Sequence, residues 1–251
     1  MTMPAYYHSL QPFRKMFQTG TPVLTYHKLG PRPSGVRLKG LYVGEKLFTQ
    51  QLAELRQAGF TTPLLTEMFP IGENFQKQIA ITFDDGFSNV LRYGLKPLAE
   101  NKFRAIQFLV AGLLGKTNEW DARNGETPEP LMDVAQASEW LDAGHEIGSH
   151  TLTHPHLTRI PLEQAREEIV ASKKKLEDLF GRAVEHFCYP YGDWNEAVRD
   201  LVIAAGYKTA FTTTAGVNIS GDSPFELKRF TARYPSRNLK AIWSRLFSRD
   251  D

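Results

Sequence analysis

Two adjacent carboxylates, Asp84 and Asp85, followed by Gly86, are residues whose types and order can do chemistry. They come directly after an apolar, β-branched run, Ile79-Ala80-Ile81-Thr82-Phe83. Neighbouring side chains in an extended segment point in different directions, so one aspartate can hold a metal while the other faces a substrate water. Taken alone, Asp-Asp-Gly also reads as a turn that caps the next helix. A second constellation is Ser149-His150-Thr151-Leu152-Thr153-His154. Histidines four apart share a face if the segment is helical, a spacing that suits a shared metal. Neutral imidazole ligates zinc and its first-row neighbours, and one added carboxylate makes a three-ligand site with positions open for water and substrate. An isolated pair at that spacing is often incidental. The two signals gain weight together because each follows a strand-like run, the second being the short Glu146-Ile147. His156 falls off the shared face and reads as structural or solvent-exposed.

The elements that must position these groups follow from periodicity. Short apolar runs recur at 23–26, 79–83, 105–110, 186–189, 209–213 and 227–230, several of them separated by helical patterns. Phe48, Leu52 and Leu55 share one helix face that Gly59 would end, and Leu162, Ala165, Ile169, Leu176 and Leu179 share another before Gly181. Further helices end at Gly144 and Gly206. This α/β alternation predicts a parallel sheet covered by helices, open or closed into a barrel. Chemistry then belongs at the carboxyl ends of the strands, where Asp84 and Asp85 fall.

With 251 residues and 41% hydrophobic content the chain can bury a substantial core, and it reads as one domain over residues 1–251 without linker or repeat. Thirty basic against 28 acidic side chains leave a formal charge of +2, too even a balance for a large phosphate-binding surface, so nucleic acid is not an expected partner. The sole cysteine, Cys188, excludes an internal disulfide. No segment reaches the roughly 20 apolar residues of a membrane span, and the first residues lack a signal-length apolar run. The chain as written reads as cytoplasmic, although one trimmed of an export signal would read the same. Near the end, Leu239, Ile242, Trp243 and Leu246 share a face with basic residues around it. A final helix packed on the barrel fits that pattern, and weak contact with a membrane surface is the alternative.

Thr82-Phe83-Asp84-Asp85-Gly86 and the His150/His154 pair resemble the first two motifs of the NodB-like polysaccharide deacetylases, carbohydrate esterase family 4. The resemblance extends through residues 144–150, Phe187-Cys188-Tyr189-Pro190-Tyr191-Gly192 and 206–210, and covers residues 20–232. It implies a deformed (β/α) barrel of about seven repeats. It also implies one divalent metal on Asp85, His150 and His154, with zinc expected and cobalt, nickel or iron as alternatives. Asp84 would serve as the base and the Tyr191 backbone N–H as an oxyanion donor. Two departures matter. The third motif usually carries an arginine that orients the base, where this chain has Cys188, leaving the orienter of Asp84 unidentified. The fifth motif usually supplies a histidine acid, and Leu227-Lys228-Arg229-Phe230 has none. His27, ending Val23-Leu24-Thr25-Tyr26-His27, resembles the N-terminal Tyr-His segment of the circularly permuted branch that includes the poly-N-acetylglucosamine deacetylases. Its histidine would be the acid.

A thiol nucleophile at Cys188 is disfavoured because no histidine is placed by sequence to activate it. Among the aromatic residues that could floor a sugar site, Tyr191, Trp194, Trp120 and Trp140, Trp194 is favoured because it follows the third motif. The resemblance implies metal-dependent N-deacetylation of N-acetylhexosamine units in a bacterial surface polysaccharide or its precursor. A metal-dependent amidase or imidase of a non-sugar substrate, and a non-catalytic glycan-binding protein, are the alternatives.

Overall fold

The computed structural model describes residues 16–69, 77–122 and 125–232. The predicted helix at 239–247 lies outside them. Along the chain run β1 (Val23–Tyr26), β2 (Lys28–Leu29), β3 (Tyr42–Val43), α1 (Glu45–Gln57), α2 (Leu65–Met68), β4 (Ala80–Phe83) and α3 (Ser88–Asn101). Next come β5 (Ile106–Leu109), α4 (Glu119–Ala122), α5 (Val134–Asp142), β6 (Glu146–Ser149) and α6 (Leu162–Phe180). The last elements are β7 (His186–Cys188), α7 (Glu196–Ala204), β8 (Thr209–Phe211) and β9 (Phe230–Thr231).

Seven strands form one sheet in the order β8-β7-β6-β5-β4-β1-β9, with every pairing parallel. The run predicted at 227–230 is not a single strand. Leu227 bridges Phe211 of β8, while Phe230 pairs with Leu24 of β1, so this segment spans the gap between the two edges of the sheet and curls it into a deformed barrel. The register explains how distant residues meet. Tyr26 lies opposite Phe83, so one residue further His27 is level with Asp84, both at the carboxyl ends of their strands. β1 therefore lies between β4 and β9, the place beside β4 that the permuted arrangement gives it.

Two apolar layers hold the barrel. Val23, Ala80, Ile106, Phe108, Cys188, Phe211 and Leu227 fill its interior together with Leu65 and Met68 of α2. Phe83, Leu109, Ile147 and Phe187 point outward and pack beneath the helices against Phe48, Leu52, Val90, Trp140 and Ile169. Each Leu or Phe so buried stabilises the fold by about 1.5–3 kcal/mol. Gly148 is fixed by this packing, since a Cβ there would lie 2.6 Å from the Phe108 ring. The predicted helix ends at Gly59, Gly144, Gly181 and Gly206 are all found, each glycine with positive φ. In α6, however, Leu162 and Leu179 are 51% and 42% exposed; the buried stripe is Ala165, Glu168, Ile169, Ser172 and Leu176. No helix among the described residues is long and apolar enough to cross a membrane.

Candidate active site

The loops after β4 and β6 bring Asp85, His150 and His154 together, all three nearly inaccessible to solvent. Their ligand atoms lie within 4.8 Å of one another. The two histidines are not on a helix, contrary to the spacing argument. After β6 the chain turns through left-handed conformations at Thr151 (φ 69°) and His154 (φ 67°), and the turn itself aims both rings at Asp85. The His150 and His154 Nε2 atoms stand 3.4 and 3.3 Å from Asp85 Oδ1. Glu168 of α6 clasps this loop, accepting from the Leu152 and Thr153 N–H groups at 2.8 and 2.9 Å and from the Thr153 hydroxyl at 2.6 Å. Of six described non-glycine residues with positive φ, four (Asp85, Thr151, His154 and Tyr191) belong to the site loops. Such conformations cost on the order of 1 kcal/mol or more each and are held only where the surroundings enforce them.

The triad fits a divalent cation. His150 Nδ1 lies 2.7 Å from the Cys188 carbonyl oxygen, which can only accept, so Nδ1 carries a proton and Nε2 is the ring atom turned to Asp85. Burial lowers the ring's proton affinity, but the hydrogen bond with Asp85 helps raise it well above the ordinary imidazole range, so a cation here would displace the Nε2 proton. Burial keeps His154 neutral by lowering its proton affinity, against the opposing pull of Asp85. Burial alone would raise the Asp85 carboxyl, but hydrogen bonds with His150 and His154 hold it well below the ordinary range. One ionised carboxylate and two imidazole nitrogens suit zinc and its first-row neighbours.

Beside the triad stands the second aspartate with a partner that sequence reasoning missed. Arg229, from the segment between the sheet edges, grips Asp84 with both arms: Nη1 donates to Oδ1 at 2.7 Å and Nη2 to Oδ2 at 2.8 Å. The guanidinium is itself fixed by Nε to the Thr212 carbonyl at 2.8 Å and by Nη1 to the Thr82 hydroxyl at 3.2 Å. Nη2 also points at Cys188 Sγ, 3.1 Å away. The arginine absent from position 188 is thus replaced by one arriving from the opposite edge of the barrel, and Cys188 leaves room for it. A signal for it existed: in an extended run Leu227 and Arg229 share the inward face. Burial would raise the Asp84 carboxyl, and the Arg229 charge and hydrogen bonds more than offset it, leaving Asp84 ionised. The Cys188 thiol is pushed up by burial and stays neutral, which removes it as a nucleophile.

His27 reaches the same site from β1, its Nε2 3.9 Å from Asp84 Oδ2 and its side chain 22% exposed. Tyr191 sits in a left-handed turn (φ 59°), its ring edge-on to His154 at 4.6 Å and stacked on His156 at 3.9 Å. Trp194 is half-buried and stacked on Tyr189 at 6.0 Å. Trp120 lies flat on His154 with ring centres 4.3 Å apart and is the tryptophan that walls the site. Trp140 is wholly buried, its Nε1 donating to the Glu146 carbonyl.

A curled parallel barrel with a cation triad abutting an ionised base is the apparatus of hydrolases that direct water at a carbonyl. Residues 72–210, more than half of the chain, match the polysaccharide deacetylase domain, and the chain belongs to that family. It is 26% identical over 212 residues to YxkH of Bacillus subtilis, covering 83% of this chain and 70% of that one. It is 38% identical over 135 residues to the chitooligosaccharide deacetylase of Azorhizobium caulinodans, covering 53% of this chain and 57% of that enzyme. The solved structure of IcaB from Ammonifex degensii superposes with a TM-score of 0.74 at 26% identity, over 90% of this chain and 97% of that one.

Proposed function

We propose that this chain is a metal-dependent N-deacetylase acting on N-acetylhexosamine units of a bacterial surface polysaccharide or its precursor, with acetate as the released product. The observation that carries the reading is the arginine-held, ionised Asp84 set against the Asp85–His150–His154 triad. Asp85, His150 and His154 would hold a divalent cation, zinc being the expected one, which when bound would supply Lewis acidity for a water and for the acetamide carbonyl. Every remaining step belongs to the chain. Asp84 accepts the proton of the attacking water, and Arg229 keeps that carboxylate ionised and fixes its plane. The Tyr191 backbone N–H donates to the oxyanion. His27, partly exposed at the rim, delivers a proton to the amine as the C–N bond breaks. Water and the amide become acetate and a free amino sugar, consistent with the chitooligosaccharide activity named for the Azorhizobium relative.

The test is acetate release from an N-acetylglucosamine tetramer by protein stripped with chelator and reloaded with zinc. Turnover should require zinc, and Asp84→Asn should retain zinc while losing about 10²–10⁴-fold in kcat. Hydrolysis of a cyclic imide with no acetate from any acetylated sugar overturns the reading.

A further inference from the structure

The loop between β5 and α5 covers one side of the site and carries Trp120 and Asp121. Asp121 is 6% exposed. Its Oδ2 accepts from Asn118 Nδ2 at 2.8 Å, and no described residue donates to its Oδ1. Asn118 is wholly buried, and its own Oδ1 accepts the Glu129 N–H at 2.6 Å, closing the base of the loop. Glu129 in turn accepts from Lys28 Nζ at 3.1 Å and from Asn89 Nδ2 at 3.3 Å. Lys28 is wholly buried, with Nζ 4.3 Å from the centre of the Phe87 ring and 4.9 Å from that of Tyr42. Lys28 directly follows His27, so the loop is tied through Glu129 to the strand end that bears the proposed acid. A buried ion pair is strongly destabilising when broken, which makes this tie a rigid one.

The network therefore holds one carboxylate in place with its Oδ1 free of donors among the described residues. That oxygen is not sealed from solvent, so water or a ligand hydroxyl can reach it and donate. Trp120, the adjacent residue, lies on His154, and the Asp121 carboxyl is close enough to the triad for the charges of Asp121 and Asp85 to act on each other. Burial raises the Asp121 carboxyl, Asn118 opposes this and the Asp85 charge adds to it; the Tyr191 hydroxyl responds to both carboxylates.

We propose that Asp121 is a substrate-binding residue that accepts hydrogen bonds from ring hydroxyls of the bound hexosamine and favours neutral sugars over sugars bearing a carboxylate. Hydroxyl groups are donors that a fixed carboxylate oxygen accepts directly, whereas an acidic substituent in the same place would meet like charge with no compensation. The inference rests on the deacetylase reading above.

Asp121→Asn keeps the shape and the acceptor for Asn118 while removing the charge. With the N-acetylglucosamine tetramer, KM should rise about 10- to 100-fold and kcat should stay within about threefold, the size expected for a charged hydrogen bond. Zinc content should not change. The preference for the neutral tetramer over an oligomer containing N-acetylmuramic acid should fall by about tenfold or more. Tetramer affinity measured in the turnover-defective Asp84→Asn background should weaken in parallel when Asp121→Asn is added. If the wild type releases acetate and Asp121→Asn leaves both affinity and selectivity unchanged, this inference alone is overturned. A wild type that neither cleaves nor binds any acetylated sugar overturns the deacetylase reading and this inference with it.

Discussion

The two ends of the barrel bury ionisable groups on the same strands with opposite results. β6 carries Glu146 at its amino end and leads into His150 at its carboxyl end, and β7 leads from His186 to Cys188 beside Asp84. At the amino end burial wins: Glu146 is pushed up to about 7, His186 down to about 3 and the neighbouring His145 down to about 4. His186 Nε2 has no hydrogen-bond partner among the described residues and stands 3.7 Å from Glu146 Oε2. At the carboxyl end two equally buried aspartates stay charged, because Arg229 and the imidazoles are placed to oppose the desolvation. The difference teaches where to look for chemistry. A low dielectric neutralises whatever it encloses, and charge persists only where counter-charges have been built around it.

The strongest way to break this contrast is to remove the counter-charge. Arg229→Met leaves Asp84 buried and unpaired, and the fold should lose about 3–5 kcal/mol, read by urea denaturation. In the surviving protein the Asp84 carboxyl should rise toward neutrality, moving the acid limb of kcat/KM to higher pH. Arg229→Lys, which cannot grip two oxygens, should rescue only part of either effect. Unchanged stability and an unmoved acid limb would show that Arg229 is not what keeps Asp84 charged.

His27 lies at the same end, yet its side chain is partly exposed and 3.9 Å from Asp84, outside the tight ion pair. His27→Ala should therefore cost little stability while lowering kcat by about 10²–10³-fold, roughly 3–4 kcal/mol of barrier. Wild-type turnover in that variant would place the acid elsewhere.

The sequence made much of the scaffold legible, and the reasons differ between elements. Strands such as β1 and β4 are continuous apolar runs because both faces are covered, and the helices announce their ends with glycines at positive φ. Asp84, Asp85 and His27 could be placed because each directly follows such a run. Arg229 was legible only as an inward-facing residue two places after Leu227; its grip on Asp84 depends on the gap between β8 and β1 being spanned by one segment, a long-range closure that local alternation does not reveal. The His150–His154 geometry was hidden for a related reason: strained backbone, stapled by Glu168, replaces the helical periodicity that the spacing invoked. Trp120 was harder to rank than Trp194 because adjacency to a motif in sequence says little about adjacency in a curled sheet.

The amino end offers the gentlest test. Glu146 accepts the Leu65 N–H at 3.1 Å, but burial outweighs that bond and lifts the carboxyl from 4.5 to about 7. A group whose folded pKa is raised contributes stability that is fully present below its unfolded pKa and lost as pH rises through the folded one. Glu146 should therefore weaken the fold progressively between pH 4.5 and about 7, by about 2–3 kcal/mol at the upper end. His186 runs the other way: with its proton affinity depressed, its contribution is present above 6.5 and fades as pH falls toward about 3. The two windows overlap, so the wild-type curve alone cannot separate them. Glu146→Gln can, since the amide never ionises and His186 is retained. The difference in unfolding free energy between variant and wild type should grow in favour of glutamine from pH 4.5 to 8 and be flat below that window. Parallel curves across it would mean that Glu146 is already charged in the fold, and the contrast between the two ends of the barrel would then rest on the histidines alone.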